Sequence, residues 1–385
     1  MNRDGTGVVG RPPGAGAQAG QLDSLSATVP PLAGPGRNGT GARVPGSVDR
    51  VPGPVPSVGR VPGRMPPAGQ VVVTGIGVCA PPVDRPAVDV AWFDVRSQLG
   101  RRGYKYLPAA CQYLLVAGRH ALDDAGDCLD GAAEEQRGVV VGTNNGVAAL
   151  HDEQDRTVIA EHAGELSPVT APFGAVNVLT SRLSMEHGFK GISLTLTSPL
   201  VAGLESVQVG ARAFAAGRSA LLLAGAMEQA VPAPEAAAPE EGAVVFVLEP
   251  PEQAAARGAT GYGRCAVRTL LLPPHGLGAG PARRRSAAVL REAALALGAD
   301  QVPVYALLDD SPVSELVAGA VPAAVGPVRD AGPPAAGSLT PMLRLADRLR
   351  TADGDSLLVT AAGTGNVAMV RIWRTAGSTR RSAGC

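Results

Sequence analysis

The feature that most constrains the fold is a series of short apolar runs that alternate with helical segments between residues 71 and 374. The clearest runs are 71–78 (VVVTGIGV), 138–142 (GVVVG), 220–225 (ALLLAG) and 242–249 (GAVVFVLE). A strand that is apolar on both faces has to be covered on both faces, which is typical of sheets flanked by helices. We therefore predict one α/β body over 71–374.

Periodicity and stop signals predict the other elements of this body. Helices are predicted over 108–122, 201–216, 251–257, 287–297 and 339–349, with a mostly helical stretch over 168–188. Further strands are predicted over 192–197, 304–308, 356–361 and 366–373.

The chain opens on a segment with a different composition. Residues 1–70 are dominated by Gly, Pro, Arg and Ser, and the motif RVPG starts at Arg43, Arg50 and Arg60. Prolines remove backbone donors and glycines raise the entropy cost of ordering, so such a segment cannot form a packed core. We predict a disordered tail over 1–70, with a partner-binding arm as the alternative, and a flexible tail over 376–385.

Charge and cysteine usage exclude several classes of function. The 34 Lys and Arg residues balance the 34 Asp and Glu residues, so nothing favours nucleic acid or an anionic membrane as a partner. The five cysteines form no CxxC pair, which argues against a disulfide framework or a metal site. With no signal-peptide pattern and no run of 18 apolar residues, we expect a cytoplasmic protein.

The first predicted strand contains a loose dinucleotide-binding pattern. Gly75 and Gly77 fit the spacing GxG, but that motif needs a helix to begin at the glycines so that its amides face a pyrophosphate. Pro81 and Pro82 follow instead, and a proline pair does not continue a helix. A nucleotide site is therefore not expected.

Residues 192–228 combine a strand, a tight turn and a helix in immediate succession. The predicted strand runs through residues 197–200 (TSPL) into a helix that ends at Gly217. A residue in such a turn lies at a helix N-terminus, where the dipole and free backbone amides stabilise an anion. The turn is therefore the place where a nucleophile is expected.

Several segments resemble landmarks of the β-ketoacyl synthases and thiolases, and they occur in that family's order. They are VVVTGIGVCAP from Val71, NVLTSRLSMEHGFKG from Asn177, GLESVQVGARAFAAGRSALLLAGAMEQ from Gly203, EEGAVVFVLEPPEQAAARGA from Glu240, PPAAGSL from Pro333 and VTAAGTGNVAMVRI from Val359. The resemblance implies a thiolase-like, layered α/β/α/β/α fold with two related halves, which we place at 71–249 and 250–375.

The same resemblance implies that the catalytic groups of the family are missing. It places the family's nucleophilic cysteine at Leu200 and its two histidines at Leu307 and Ala331. The family's lysine falls at Gly326, and the phenylalanine of its C-terminal gating loop falls at Ala362. In chain-length factors, the inactive partners of aromatic polyketide ketosynthases, a glutamine commonly replaces the cysteine. Here a leucine does, so no catalytic residue of the family type is predicted.

Other polar residues offer alternative catalytic groups. Thr197 and Ser198 lie in the turn, but a serine needs an adjacent base, and His187 stands where the family has a structural residue. Residues 309–310 (DD) and 240–241 (EE) are paired carboxylates. A turn explains the first pair and a solvated approach to a strand explains the second, without catalysis.

The resemblance implies an inactive, chain-length-factor-like subunit of polyketide or fatty-acid-like biosynthesis. Its partners would be an active ketosynthase, in a heterodimer, and an acyl carrier protein, and no cofactor is expected. Three alternatives stay open: a repurposed thiolase-fold enzyme that acts on carrier-bound acyl thioesters, a non-enzymatic acyl-binding protein, and a decayed copy without function.

Overall fold

The computed structural model describes residues 69–81, 92–101, 103–230, 240–274, 277, 280–326, 328–330, 332, 335–351 and 354–374. Apart from Gly69 and Gln70, the predicted N-terminal tail lies outside these residues, and so do the predicted C-terminal tail and Ala331. The predictions made for them stay predictions.

Ten strands and ten α-helices lie within the described residues. The strands are β1 (Val71–Cys79), β2 (Arg137–Gly142), β3 (Ser193–Leu196), β4 (Leu221–Glu228), β5 (Gly242–Glu249), β6 (Gly263–Leu271), β7 (Val304–Leu308), β8 (Val328–Asp330), β9 (Ser356–Ala361) and β10 (Asn366–Trp373). The helices are α1 (Val95–Leu99), α2 (Ala109–Ala125), α3 (Ala148–Ala160), α4 (Val176–Glu186), α5 (Ala202–Ala215), α6 (Pro251–Ala256), α7 (Gly280–Ala296), α8 (Pro312–Ala320), α9 (Pro322–Val325) and α10 (Leu339–Thr351).

The sheet topology repeats itself. The strand order is β3-β2-β4-β5-β1-β6-β10-β9-β7-β8. Outward from the central β1–β6 pair, one half has the order β1-β5-β4-β2-β3 and the other has the order β6-β10-β9-β7-β8. Each strand of the second half therefore occupies the place of the strand five numbers earlier. The directions repeat as well, since β2 is parallel to β3 and β4 just as β7 is parallel to β8 and β9. The predicted α/β fold with two related halves is therefore confirmed.

Three hydrophobic cores separate the layers. The central core contains residues of both halves, including Val140 of β2, Leu204 of α5, Leu345 of α10 and Leu358 of β9. A second core joins β2, β4 and β5 to α2 and α4, and a third joins β7, β9 and β10 to α7 and α8. Side chains alternate between two cores along each inner strand, which explains why these strands are apolar on both faces.

The glycines of β1 serve helix packing. A Cβ at Gly75 would overlap the Ala121 carbonyl, and a Cβ at Gly77 would overlap the Ala117 carbonyl, both on α2. The spacing GxG thus lets a helix lie directly on the strand. This contact accounts for the glycines without a nucleotide.

Several elements differ from the sequence-based expectation. No strand is predicted over β6, yet β6 joins the two halves of the sheet by pairing with both β1 and β10. Its arginines, Arg264 and Arg268, break the apolar pattern that identified the other strands. Helices α3 and α8 are also not predicted, and α7 begins seven residues before the predicted helix at 287.

Candidate functional site

The turn between β3 and α5, here called the elbow (residues 197–201), has a strained backbone at its tip. Leu200 has φ 61°, in the left-handed region that favours glycine, and among the described non-glycine residues it shares a positive φ with Gln301. The Ser198 carbonyl accepts a hydrogen bond from Ala202 N at 3.0 Å, which starts the helix. A strained residue held by its surroundings is typical of a functional position.

Asn144, in the loop after β2, holds the elbow in this shape. Its side-chain amide donates to the carbonyls of Thr197 at 3.2 Å and Ser198 at 3.4 Å. Its side-chain oxygen accepts a hydrogen bond from Leu200 N at 3.1 Å. One asparagine therefore forms hydrogen bonds with three backbone groups of the turn.

Glu228, at the end of β4, anchors the loop that carries Asn144. Its fully buried carboxylate accepts from Asn144 N at 2.8 Å, Asn145 N at 2.6 Å and Thr143 Oγ1 at 3.3 Å. It also accepts from Ser338 N at 2.9 Å and Ser338 Oγ at 2.6 Å. Burial raises the pKa of Glu228, and the hydrogen bonds from Ser338 and the two asparagine amides oppose that shift.

The loop before α10 closes the same network from the second half of the chain. Glu240 accepts from Leu339 N at 2.9 Å and Thr340 N at 3.2 Å, so it caps the N-terminus of α10. A Cβ at Gly337 would lie 2.9 Å from Glu240 Oε2 and 3.0 Å from Glu228 Oε1, so a larger residue there would displace these carboxylates. Glu240 of the pair at 240–241 therefore has a structural role as a helix cap. Glu241 is buried, so the pair is not solvated as the sequence suggested.

Strand β7 contains Leu307. It covers the predicted range, Val304–Leu308, and pairs Leu307 with Thr360 of β9. Leu307 is buried in the central core, which also contains Val201 of the elbow. The residue that follows the strand is Asp309.

Asp309 forms hydrogen bonds with two loops at the end of β7. Its carboxylate accepts from Ser311 N at 3.1 Å, Ser314 Oγ at 2.6 Å and Gly363 N at 3.1 Å. Burial by itself would raise the pKa of Asp309, but the two serine hydroxyls and the backbone amides of Ser311 and Gly363 together outweigh it and lower the pKa. The turn-forming role expected for residues 309–310 is thus seen at Asp309. Ala362, the neighbour of Gly363, is buried.

A serine hydroxyl with a carboxylate partner lies within the elbow. Ser198 Oγ donates to Glu205 Oε2, in the first turn of α5, at 2.6 Å. His187 instead ends α4, and burial lowers its pKa. The structure therefore places a glutamate beside Ser198, a base that no sequence pattern indicated.

The described cysteines have no features of a nucleophile. Cys79, Cys111, Cys128 and Cys265 are all buried, and burial raises the pKa of each thiol, to about 11 for Cys128 and about 12 for the other three. A reactive cysteine has the opposite shift.

The described residues contain no group of three or more His, Cys, Asp or Glu side chains that could hold a metal ion. No described helix has the length and apolar character needed to cross a membrane.

If the elbow still stabilises an anion, a cysteine placed at its tip will be reactive. We expect the Leu200→Cys variant to react with iodoacetamide at pH 7 at least about threefold faster than a Leu194→Cys control on β3, because a helix N-terminus lowers a thiol pKa. The native described thiols are buried and will contribute little. Mass spectrometry of the alkylated peptides measures both rates. Equal or slower alkylation at residue 200 would show that the elbow geometry no longer supports a nucleophile.

Part of the chain matches known proteins in sequence. Residues 89–265 match the family model of the β-ketoacyl synthase N-terminal domain. By this match, residues 89–265 form a domain of the β-ketoacyl synthase family. The 3-oxoacyl-[acyl-carrier-protein] synthase 2 of Vibrio cholerae is 26% identical over 141 residues, which are 37% of this chain and 34% of that protein. The enzyme of the same name from Vibrio harveyi is 25% identical over 138 residues, 36% of this chain and 33% of that protein.

Solved ketosynthase structures share the fold of this chain over most of its length. The ishigamide ketosynthase/chain length factor superposes with TM-score 0.62 at 20% identity, covering 80% of this chain and 100% of the solved chain. A type II PKS acyl-carrier protein in complex with its ketosynthase gives TM-score 0.62 at 18% identity, with the same coverage. The predicted thiolase-like fold is confirmed, whereas the sequence matches span only about a third of the curated relatives.

Sequence reasoning missed two residues that shape the site of this β-ketoacyl synthase relative. Asn144 and Glu228 each stand at the carboxyl end of a buried strand, where a polar residue directly follows or closes an apolar run. Neighbouring parallel strands bring such ends together, so β2 and β4 place both residues beside the elbow. That positional signal was available in the sequence.

Proposed function

We propose that this chain is a non-catalytic, chain-length-factor-like subunit that assembles with an active ketosynthase. The observation that carries the proposal is the elbow, which keeps a strained φ of 61° at Leu200, where the resemblance places the nucleophile. Leucine has neither a proton to lose nor an electron pair to donate, and loss of a nucleophile lowers a rate by many powers of ten. A retained scaffold with an inert tip fits a role in assembly.

The surface around β3 supports a partner on that side of the chain. β3 ends the described sheet and pairs with β2 along one edge, so its other edge offers free backbone groups. Large apolar side chains are exposed on β3 and on α4, which packs against it: Leu194 at 45% and Met185 at 64%. An exposed edge strand flanked by apolar side chains is suited to sheet extension by a second subunit.

The helix after β2 also exposes apolar side chains. Of the 13 residues of α3, Leu150 is buried, and Val158 and Ile159 near its end are exposed. A helix that buries so little of its own surface gains little from packing within the chain. A covering subunit would account for its retention.

Co-expression tests the proposal. We expect this chain to co-purify with an active ketosynthase from the same pathway and to run as a 1:1 heterodimer in light scattering. Purification alone and mixing with an unrelated ketosynthase serve as controls. A monomer that captures no pathway ketosynthase would contradict the proposal.

A second candidate function rests on the Ser198–Glu205 hydrogen bond. A carboxylate at 2.6 Å can accept the serine proton, as a general base does in acyl transfer. Hydrolysis of an acyl thioester that disappears in a Ser198→Ala variant, with the fold unchanged, would favour such a repurposed enzyme over the assembly role.

A further inference from the structure

Two arginines converge on one tyrosine at the far end of the sheet. Tyr305 of β7 lies opposite Arg329 of β8, and Arg329 donates to the tyrosine hydroxyl at 3.2 Å. The Arg348 guanidinium of α10 lies 3.8 Å from the centre of the same ring, and that of Arg329 lies 5.9 Å from it. Both cations therefore lie next to one aromatic ring. The distance between them is within about one Debye length, 10 Å at 0.1 M salt, so salt screens their charges from each other only in part.

The two arginines, Arg329 and Arg348, have no ion-pair partner among the side chains that the structure describes. The buried Nε of Arg348 has no hydrogen-bond partner among the described residues. Arg344, one turn before Arg348 on α10, adds a third cation, and its guanidinium lies against the backbone of Gly332. Like charges held together without counter-charge favour an anion between them.

A cleft opens beside this cluster. It has a volume of about 440 Å³ and is lined by Arg329, by residues 300–303 before β7, and by Gly326 and the residues of α9 before β8. Its volume lies within the range of about 300 to 1,000 Å³ seen for small-molecule sites. Gln301, with φ 52°, lies in its wall. A strained backbone in a cleft is typical of a binding site.

The cleft is separate from the elbow network. Its walls precede β7 and β8, whereas Asp309 and the gating-loop residues follow the other ends of β7 and β9. A ligand here would therefore bind at the opposite end of the strands from the site described above.

We propose that Arg329 in the cleft wall, with Tyr305 and Arg348 beside it, forms a binding site for a small phosphate ester. Guanidinium groups bind phosphate oxygens through paired, charge-assisted hydrogen bonds, and the tyrosine ring holds both arginines in place. Asp300 in the cleft wall favours a ligand that carries a hydroxyl or amino group beside its phosphate. The site is independent of any role in ketosynthase assembly.

Calorimetric titration of the full chain with inorganic pyrophosphate and with AMP tests the site, with acetate as the non-phosphate control. We expect saturable binding of both phosphate probes with Kd below about 1 mM, and at least about tenfold weaker binding for Arg329→Gln, as expected when one charged hydrogen-bonded pair is lost. An Arg264→Gln variant, which alters an exposed arginine of β6, should bind like the unaltered chain.

Arg348 is partly buried, so Arg348→Gln can destabilise the fold. Arg348→Lys keeps the charge but not the planar fork, and we expect it to fold and to lose most of the phosphate affinity. Equal affinity for acetate and pyrophosphate, no saturation by 10 mM (on the order of a non-specific Kd), or unchanged binding in the folded Arg329→Gln variant would each overturn the proposal.

Discussion

Replacing Leu194 by arginine should prevent assembly with the partner ketosynthase. Leu194 lies on the edge strand β3 with 45% of its surface exposed, so the folded chain tolerates a charge there. In a heterodimer that extends the sheet at β3, the same charge would be buried without a partner, which is strongly unfavourable. We expect association to weaken by at least about tenfold, which is about 1.4 kcal/mol, in sedimentation or interferometry measurements.

A matched control separates this effect from a general one. Leu271 is also an exposed leucine of a strand, 74% exposed at the end of β6. Leu271→Arg should leave both the melting temperature and the partner affinity unchanged. If Leu194→Arg binds the partner as tightly as the Leu271→Arg control, the interface does not include β3.

Truncation of Glu228 should produce the largest loss of stability. Its buried carboxylate accepts hydrogen bonds from the amides of Asn144, Asn145 and Ser338, and Glu228→Ala leaves these donors buried without an acceptor. Each such group costs about 1 to 3 kcal/mol, so we expect the free energy of unfolding to fall by at least about 3 kcal/mol. Urea titration measures the change. Glu165→Ala, at an exposed position, should have almost no effect.

The same carboxyl predicts a pH dependence. Burial raises the folded-state pKa of Glu228 above its unfolded value of about 4.3, so the folded chain holds this proton more tightly. The part of the stability that comes from this tighter proton binding is complete below the unfolded pKa and is lost as the pH rises through the folded pKa. The stability of the unaltered chain relative to Glu228→Gln should therefore decline from about pH 4.3 upwards. A rising or flat difference would show that the hydrogen bonds outweigh burial.

The sequence predicted the strands of the body well because each is covered on both faces and reads as an apolar run. It missed β6, since Arg264 and Arg268 interrupt that pattern and pairing with β1 and β10 stabilises the strand instead. The place of the elbow followed from a strand, a turn and a helix in succession. The left-handed backbone of Leu200 did not, because leucine has no preference for that region and long-range contacts from Asn144 impose it.

The polar network was beyond local pattern reading for a similar reason. Glu228 and Ser338 are far apart in sequence, with a separation of 110 residues, and they meet because α5 and α10 pack in one central layer. The strand that contains Leu307 was predicted over 304–308, because it is an apolar run that β9 covers by pairing. Chemistry at a strand end is readable from sequence, but its partners depend on the topology.

The most direct measurement is the condensing activity of the assembled pair when the partner ketosynthase lacks its own nucleophilic cysteine. A non-catalytic role for this chain predicts that this complex forms normally and condenses no acyl chains, while the complex with an intact partner is active. Condensation that persists in the cysteine-free complex and disappears on Ser198→Ala in this chain would contradict it.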